Sequence, residues 1–164
     1  MILETERLIL RPWELTDAEY LFQYASHPAV GPIAGWSPHT SVKNSREIIE
    51  NILFAPETYA VVLKELSHPV GSIGLMIGSA SNIGIPDTEG EIGYWIGVPF
   101  WGQRLIPEAS RKIMQHGFED LGLQRLWCGY FDGNNKSKRV QEKCGFTYHH
   151  TTNNVPCAIE GLLR

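Results

Sequence analysis

The chain has 164 residues and a formal charge of −4 at pH 7, and 43% of its residues are hydrophobic. This length predicts a single domain over residues 1–164, since domains of about 100 to 200 residues bury a core without disulfides or metals. The acidic balance and the absence of any lysine or arginine run exclude the electrostatic footprint of a nucleic-acid-binding protein.

The same composition predicts a cytoplasmic protein with no membrane partner and no metal. No apolar run approaches the about 18 residues of a membrane span, and the N-terminus MILETERL lacks the segments of a signal peptide. The cysteines, Cys128, Cys144 and Cys157, are odd in number and have no CxxC spacing, which suits a reducing compartment better than a disulfide framework or a zinc site.

The first half of the chain contains one strand, two helices and a loop rich in glycine and proline. The alternating residues Arg7 to Arg11 (RLILR) predict a strand that closes at Pro12. A helix is predicted after Thr16, over DAEYLFQYAS, and another over Ser41 to Phe54. Between them, Val30 to His39 contains two Gly and two Pro residues and carries Trp36, which predicts a loop able to contact a substrate.

The second half supplies most of the sheet. A hairpin of two strands is predicted, followed by a polar loop and then three strands separated by two helices. The predicted segments are Tyr59 to Leu63, Val70 to Ile77, the loop Gly78 to Gly90, Glu91 to Val98, the long helix up to Gly122, Arg125 to Tyr130, the helix Asn134 to Cys144, and a strand from Gly145-Phe146 through Tyr148 to Thr151. This order predicts an α+β fold with a mixed, mostly antiparallel sheet and parallel pairing near its end.

The junction between the strand Glu91 to Val98 and the following helix predicts an anion site. Pro99 cannot donate to a neighbouring strand, so we expect the strand to lose its partner there and a wedge to open. The first turn of the helix, about Gln103 to Ile106, contributes unpaired backbone N–H groups and the positive end of the helix dipole. A phosphate or pyrophosphate fits such a turn.

Three separated blocks resemble one family. The stretch EIGYWIGVPFWGQRLIPEA is similar to the acyl-CoA-binding core of the GNAT superfamily of N-acetyltransferases, in particular its RimJ/RimL-like branch. TERLILRPW at the N-terminus and NNKSKRVQEKCGF at Asn134 to Phe146 also match that family's pattern, in its order. The resemblance implies a GNAT-like fold splayed at the central strand, and direct transfer of an acetyl group from acetyl-CoA to a primary amine of a protein N-terminus or a small molecule.

The resemblance also implies roles for individual residues. The cofactor-binding set would comprise the strand residues Tyr94, Trp95, Ile96 and Val98 on the pantetheine arm, the turn residues Gln103, Arg104, Leu105 and Ile106 on the pyrophosphate, and Asn134 and Ser137 near the acetyl group. Ser137 would donate a proton to the leaving thiolate. From its own position at the start of the split strand, Glu91 is the carboxylate predicted to act as the base, through water. Trp36 would contact the substrate.

Two departures from the family pattern stand out. Arg104 occupies a position where the family has glycine, so it either points outward and adds a cation or weakens cofactor binding. The chain ends at Leu162-Leu163-Arg164 soon after Pro156, where the family has a further strand. That strand is truncated, is absent, or is supplied by a neighbouring molecule.

Alternatives remain open at the level of the sequence. The chain could be a catalytically silent acyl-CoA-binding or regulatory domain, and it could be a monomer or a homodimer. His116, His149 and His150 could serve as bases, although two adjacent histidines on a strand would face opposite sides. Glu108 is expected to interact with the dipole of its own helix rather than to take part in catalysis.

Overall fold

The computed structural model describes residues 1–155 and 157–159. The expectation about the family's final strand concerns Pro156 and Leu162-Leu163-Arg164, which lie outside the described residues. Within them, six strands form one sheet in chain order, and their bounds are β1 Leu3–Glu4, β2 Leu8–Arg11, β3 Thr58–Leu63, β4 His68–Ile77, β5 Glu89–Ile96 and β6 Arg125–Cys128. All neighbours pair antiparallel except β5 and β6, which are parallel, so the predicted mixed sheet is confirmed.

The helices are α1 Ala18–Ala25, α2 Val42–Ile48, α3 Leu105–Gln115 and α4 Asn135–Lys143. Two of them continue into π-helical turns, at Ile49–Leu53 and His116–Asp120. Ser41 is the N-cap of helix α2, and its hydroxyl accepts a hydrogen bond of 2.9 Å from the Asn44 N–H. None of the helices in the described ranges is long and apolar enough to cross a membrane.

The sheet carries a hydrophobic cluster on each face. Because side chains alternate along a strand, Leu8 and Leu10 of β2 pack towards α3, whereas Ile9 packs towards α1. On the α3 face, Leu105, Ala109 and Ile113 are almost completely buried. On the other face, α1 and the turn after α2 cover Trp13, Ala60 and Val62. This arrangement fixes α3 beside β5, with its N-terminus near the end of that strand.

Two strand predictions need correction. The strand through Tyr148 to Thr151 is wrong, since this segment has no strand partner in the described chain; Tyr148 is 76% exposed, and His149 packs edge-on against Trp127 instead. Strand β2 starts at Leu8 rather than at Arg7, because the Arg7 N–H donates to the Glu108 carboxylate. The two-residue strand β1 carries no sequence signal of its own.

Candidate functional site

The wedge lies between β5 and β6. Strand β4 pairs with β5 as far as Ile96, whereas β6 pairs with it only from Glu89 to Ile92. The predicted opening is therefore present, but its cause is the end of β6 and not Pro99. The ladder stops there because the Cys128 thiol takes up the Ile92 carbonyl at 3.3 Å. Gly129 directly follows Cys128, and its carbonyl accepts a hydrogen bond of 3.0 Å from the Gln141 side chain.

Alternation along β5 decides which backbone groups face the wedge. The Gly97 N–H donates to the Val70 carbonyl of β4 at 2.8 Å, so every second residue before it also bonds to β4. Trp95 belongs to that set, and its carbonyl points at Gly71. Tyr94 and Ile96 therefore direct their N–H and C=O groups towards the wedge. The Ile96 carbonyl already accepts from Trp101 Nε1 at 3.0 Å.

These contacts reduce the number of β5 backbone groups that can bind the pantetheine arm. The groups left open are the N–H and C=O of Tyr94 and the N–H of Ile96. The backbone of Trp95 is bonded to β4 and does not face the wedge. Its indole lies on the opposite face of the sheet. Val98 lies in a 3₁₀ turn, where its carbonyl accepts from the Trp101 N–H at 3.1 Å.

The turn before α3 is a cradle of backbone donors. In the described part of the chain, no backbone N–H from Gly102 to Ile106 has an acceptor. Gly102 and Arg104 adopt left-handed backbone conformations, with φ of 77° and 62°. Successive N–H groups in such a turn converge on one point and form an anion-binding nest at the positive end of the helix dipole. Arg104 thus has the backbone conformation for which the family uses glycine, and its side chain is exposed.

Arg7 and Glu108 hold this turn in place. The guanidinium of Arg7 donates to the Gln103 carbonyl at 2.9 Å and to Glu108 at 2.7 Å. Glu108 also accepts from Thr5 Oγ1 at 2.6 Å and from the Arg7 N–H at 2.9 Å. Burial raises the pKa of Glu108, but the hydrogen bonds from Thr5 and Arg7 outweigh it and lower the pKa below its ordinary value. Glu108 therefore anchors the loop between β1 and β2, beyond the expected interaction with its own helix.

The structure brings Ser137 and Tyr94 together, 43 residues apart in the chain. The Tyr94 hydroxyl lies 2.8 Å from Ser137 Oγ and 3.1 Å from the Ser137 carbonyl. Gln141 Nε2 donates to Ser137 Oγ at 3.2 Å. Burial raises the pKa of Tyr94, which keeps its phenol protonated. The Ser137 hydroxyl thus sits at the wedge with two neighbours that fix its position.

Asn134 caps helix α4. Its Oδ1 accepts a hydrogen bond of 3.2 Å from the Ser137 N–H, so the spacing of three residues is first of all a helix cap. Among the described residues its side-chain amide nitrogen has no acceptor, so it remains available as a donor. Asn134 can therefore fix the start of α4 and bind a ligand carbonyl at the same time.

Glu91 lies on the face of β5 opposite to Tyr94, since the two differ by an odd number of residues. It is 9% exposed, and its Oε2 accepts from Ser81 Oγ at 2.8 Å and from the Asn82 N–H at 2.9 Å. Burial, followed by the charge of Glu91, raises the pKa of the Cys128 thiol to about 12. Glu91 therefore acts electrostatically on the closed end of the wedge, where Cys128 lies.

Trp36 packs against β5 on the Glu91 face. Its ring lies edge-on to Trp95 with centroids 5.7 Å apart, and next to His39 at 5.5 Å. Burial lowers the pKa of His39, and its Nδ1 lies 2.8 Å from Ser45 Oγ. Sequence reasoning did not single out His39, whose only signal is its place at the end of the loop that carries Trp36.

The other histidines lie elsewhere or are already engaged. His116 is 1% exposed, and its ring nitrogens contact Asp120 at 2.7 Å and Glu57 at 2.9 Å, which leaves no nitrogen for a substrate. His149 and His150 contact each other and Trp127 at the surface. Among residues 1–155 and 157–159, no group of three or more His, Cys, Asp or Glu side chains is arranged so that it could hold a metal ion.

Known proteins match over most of the chain. A family profile described as Acetyltransferase (GNAT) domain matches residues 7–147. The uncharacterized N-acetyltransferase p20 of Bacillus licheniformis is 33% identical over 129 residues, 76% of this chain and 70% of that protein. The uncharacterized N-acetyltransferase YoaA of Bacillus subtilis is 29% identical over 150 residues, 88% of this chain and 82% of that protein.

Solved structures share the fold. The ribosomal-protein-S5-alanine acetyltransferase from Vibrio fischeri superposes with a TM-score of 0.72 at 20% identity, covering 94% of this chain and 87% of that one. At this level of identity the likeness concerns the architecture of the sheet and helices.

Proposed function

The chain belongs to the GNAT acetyltransferase family, and on this premise we propose how its own residues carry out the reaction. The family transfers an acetyl group from acetyl-CoA to a nitrogen, and acetyl-CoA is accordingly the co-substrate here. One observation supports the site assignment most strongly: the unpaired N–H groups of residues 102–106 lie at the end of the strand whose backbone is open from Tyr94 to Ile96.

The donor groups present fit the parts of acetyl-CoA. The N–H groups from Gln103 to Ile106 would hold the pyrophosphate, because a nest at a helix N-terminus favours an anion. The open N–H and C=O of Tyr94 and the N–H of Ile96 would bind the amides of the pantetheine arm like an added strand. The Asn134 amide would donate to a carbonyl of that arm.

Two groups on opposite faces of β5 would handle the protons. On the α3 side, Ser137 would give its hydroxyl proton to the sulfur as the carbon–sulfur bond breaks. Tyr94 and Gln141 act as positioning residues, because they fix Ser137 Oγ at 2.8 and 3.2 Å. On the other side, Glu91 would accept the proton that the amine loses, through a water, as the carbon–nitrogen bond forms.

The acceptor would approach from the face that carries Trp36 and Glu91. A primary amine is the acceptor class, and a protein N-terminus is the first one to test, since the Vibrio fischeri structural neighbour is a ribosomal-protein-S5-alanine acetyltransferase. A small-molecule amine is the second candidate. The loop from Val30 to His39 would select between them, because specificity resides in such loops.

The test is a thiol-release assay with acetyl-CoA and two panels, peptides with free N-termini and small amines. We expect release that requires both acetyl-CoA and an amine, with the acetylated nitrogen identified by mass spectrometry. Peptides blocked at the N-terminus are the matched control. Binding of acetyl-CoA without transfer to any amine would support the silent-domain alternative.

We also propose the domain organisation, the location and the oligomeric state of the protein. One acetyltransferase domain over residues 1–164, a cytoplasmic location and a monomer or homodimer are all compatible with the site. The cysteines, which are odd in number and have no CxxC spacing, support the location. Size-exclusion chromatography with light scattering measures the oligomeric state directly.

A further inference from the structure

Helix α4 has a charge pattern opposite to that of the whole chain. It carries four cationic side chains, Lys136, Lys138, Arg139 and Lys143, and one carboxylate, Glu142, in a protein of formal charge −4. Within the described residues, none of these cations forms an ion pair with a carboxylate. The helix that carries Asn134 and Ser137 thus places uncompensated positive charge beside the wedge.

Of these four cations, Lys136 contacts the segment between β5 and α3. Its Nζ lies 3.3 Å from the centroid of the Trp101 ring. The indole of Trp101 is itself fixed by its hydrogen bond to the Ile96 carbonyl at the open end of β5. The Lys136–Trp101 contact therefore joins α4 to the segment between β5 and α3.

Lys136 stands where the helix alone would favour an anion. It lies in the first turn of α4, at the positive end of the helix dipole, where a cation is unfavourable. The cation–π contact with Trp101 is favourable and of similar size, so the two effects nearly cancel. An anion bound close to Lys136 would interact favourably with both the ammonium and the helix end.

We propose that Lys136 binds the pyrophosphate of acetyl-CoA, completing from α4 the cradle that residues 102–106 form on the other side. The ring that Lys136 contacts belongs to Trp101, which directly precedes Gly102, the first of the residues with unpaired N–H groups. This assignment rests on the proposed function, because it names a further residue for the same co-substrate. Trp101 holds the lysine at the wedge before the co-substrate binds.

The test compares Lys136→Met with Lys138→Met by calorimetric titration of coenzyme A, dephospho-coenzyme A and pantetheine. The two variants remove the same charge from the same helix, and in the described chain it is Lys136, not Lys138, that has a cation–π contact with Trp101. We expect Lys136→Met to weaken coenzyme A binding by about fivefold to tenfold, which lies between the contribution of an exposed ion pair and that of a fully charge-assisted hydrogen bond. Lys138→Met should change it by less than about twofold, and Lys136→Arg should bind nearly as well as wild type.

The three ligands separate the explanations. Dephospho-coenzyme A keeps the pyrophosphate, so the loss in Lys136→Met should persist, whereas pantetheine has no phosphate and should show none. A loss that vanishes with dephospho-coenzyme A, or one that appears equally with pantetheine, would overturn the assignment. Equal binding of coenzyme A by wild type and Lys136→Met would also overturn it, while a wild type that binds no coenzyme A contradicts the proposed function itself.

Discussion

Replacing Arg104 by glycine tests how the cofactor turn is built. Arg104 has φ of 62° and caps the start of α3 in a left-handed conformation. A side chain in this conformation costs about 1–2 kcal/mol of folding free energy relative to glycine. Glycine offsets about 0.5–1 kcal/mol of that gain, because it makes the unfolded chain more flexible. We therefore expect Arg104→Gly to stabilise the protein by about 0.5–1 kcal/mol.

Thermal unfolding provides the assay. For a protein of this length, a gain of that size raises Tm by about 1–4 °C. Arg104→Ala is the matched control, because it removes the same charge and the same long side chain but keeps a Cβ in the left-handed conformation. If Arg104→Ala and Arg104→Gly unfold at the same temperature, the strain argument is wrong.

Coenzyme A binding by the same variants distinguishes the two possible effects of Arg104, which either adds a cation to the turn or weakens cofactor binding. Since the side chain is exposed and the turn already has the conformation that the family builds with glycine, we expect its charge to add affinity modestly. Both variants should then bind up to about fivefold more weakly, because an exposed pair is worth about 0.2–1 kcal/mol. Tighter binding by Arg104→Gly than by wild type would instead show that the side chain obstructs the turn.

Three more predictions follow from the site. Ser137→Ala should lower kcat by about 100-fold and Tyr94→Phe by about tenfold, with KM for acetyl-CoA little changed; unchanged kcat in Ser137→Ala would remove it from the mechanism. Cys128, whose thiol pKa is raised from 9.0 to about 12, should be alkylated about a thousandfold more slowly in the native protein than in urea, as peptide mapping can measure. Because the folded-state pKa of Glu108 is lowered, its contribution to stability is present above its ordinary pKa of 4.5 and is lost as pH falls through the folded value. The gap in unfolding free energy between wild type and Glu108→Gln should therefore be widest near neutrality and close in acid, and a gap independent of pH would contradict this.

The sequence predicted most of the fold because its signals were local. The alternating run before Pro12, the Ser41 cap and the strand through Tyr94 each carry their own pattern, and the structure has an element at each place. The strand predicted after Phe146 is wrong because that prediction also used only local signals. Its residues favour extended backbone, but a strand also needs a partner, and no local pattern reports that β6 already ends at Cys128.

The contacts that distinguish the site were beyond the sequence because they join distant segments. The 2.8 Å contact of Tyr94 with Ser137 depends on how α4 is placed against β5. Lys136 on Trp101 depends on the same packing, and a lysine in an exposed helix has no feature that marks it in advance. The register of β5 with β4, which excludes the Trp95 backbone from the wedge, is likewise a property of the sheet.

The most direct test of the central claim is a crystal structure of the protein with coenzyme A. It should show the pantetheine arm bonded to the backbone of Tyr94 and Ile96, the pyrophosphate on the N–H groups of residues 103–106, and Ser137 Oγ within hydrogen-bond reach of the sulfur. Coenzyme A bound away from the wedge, or bound there with its sulfur out of reach of Ser137, would contradict the account.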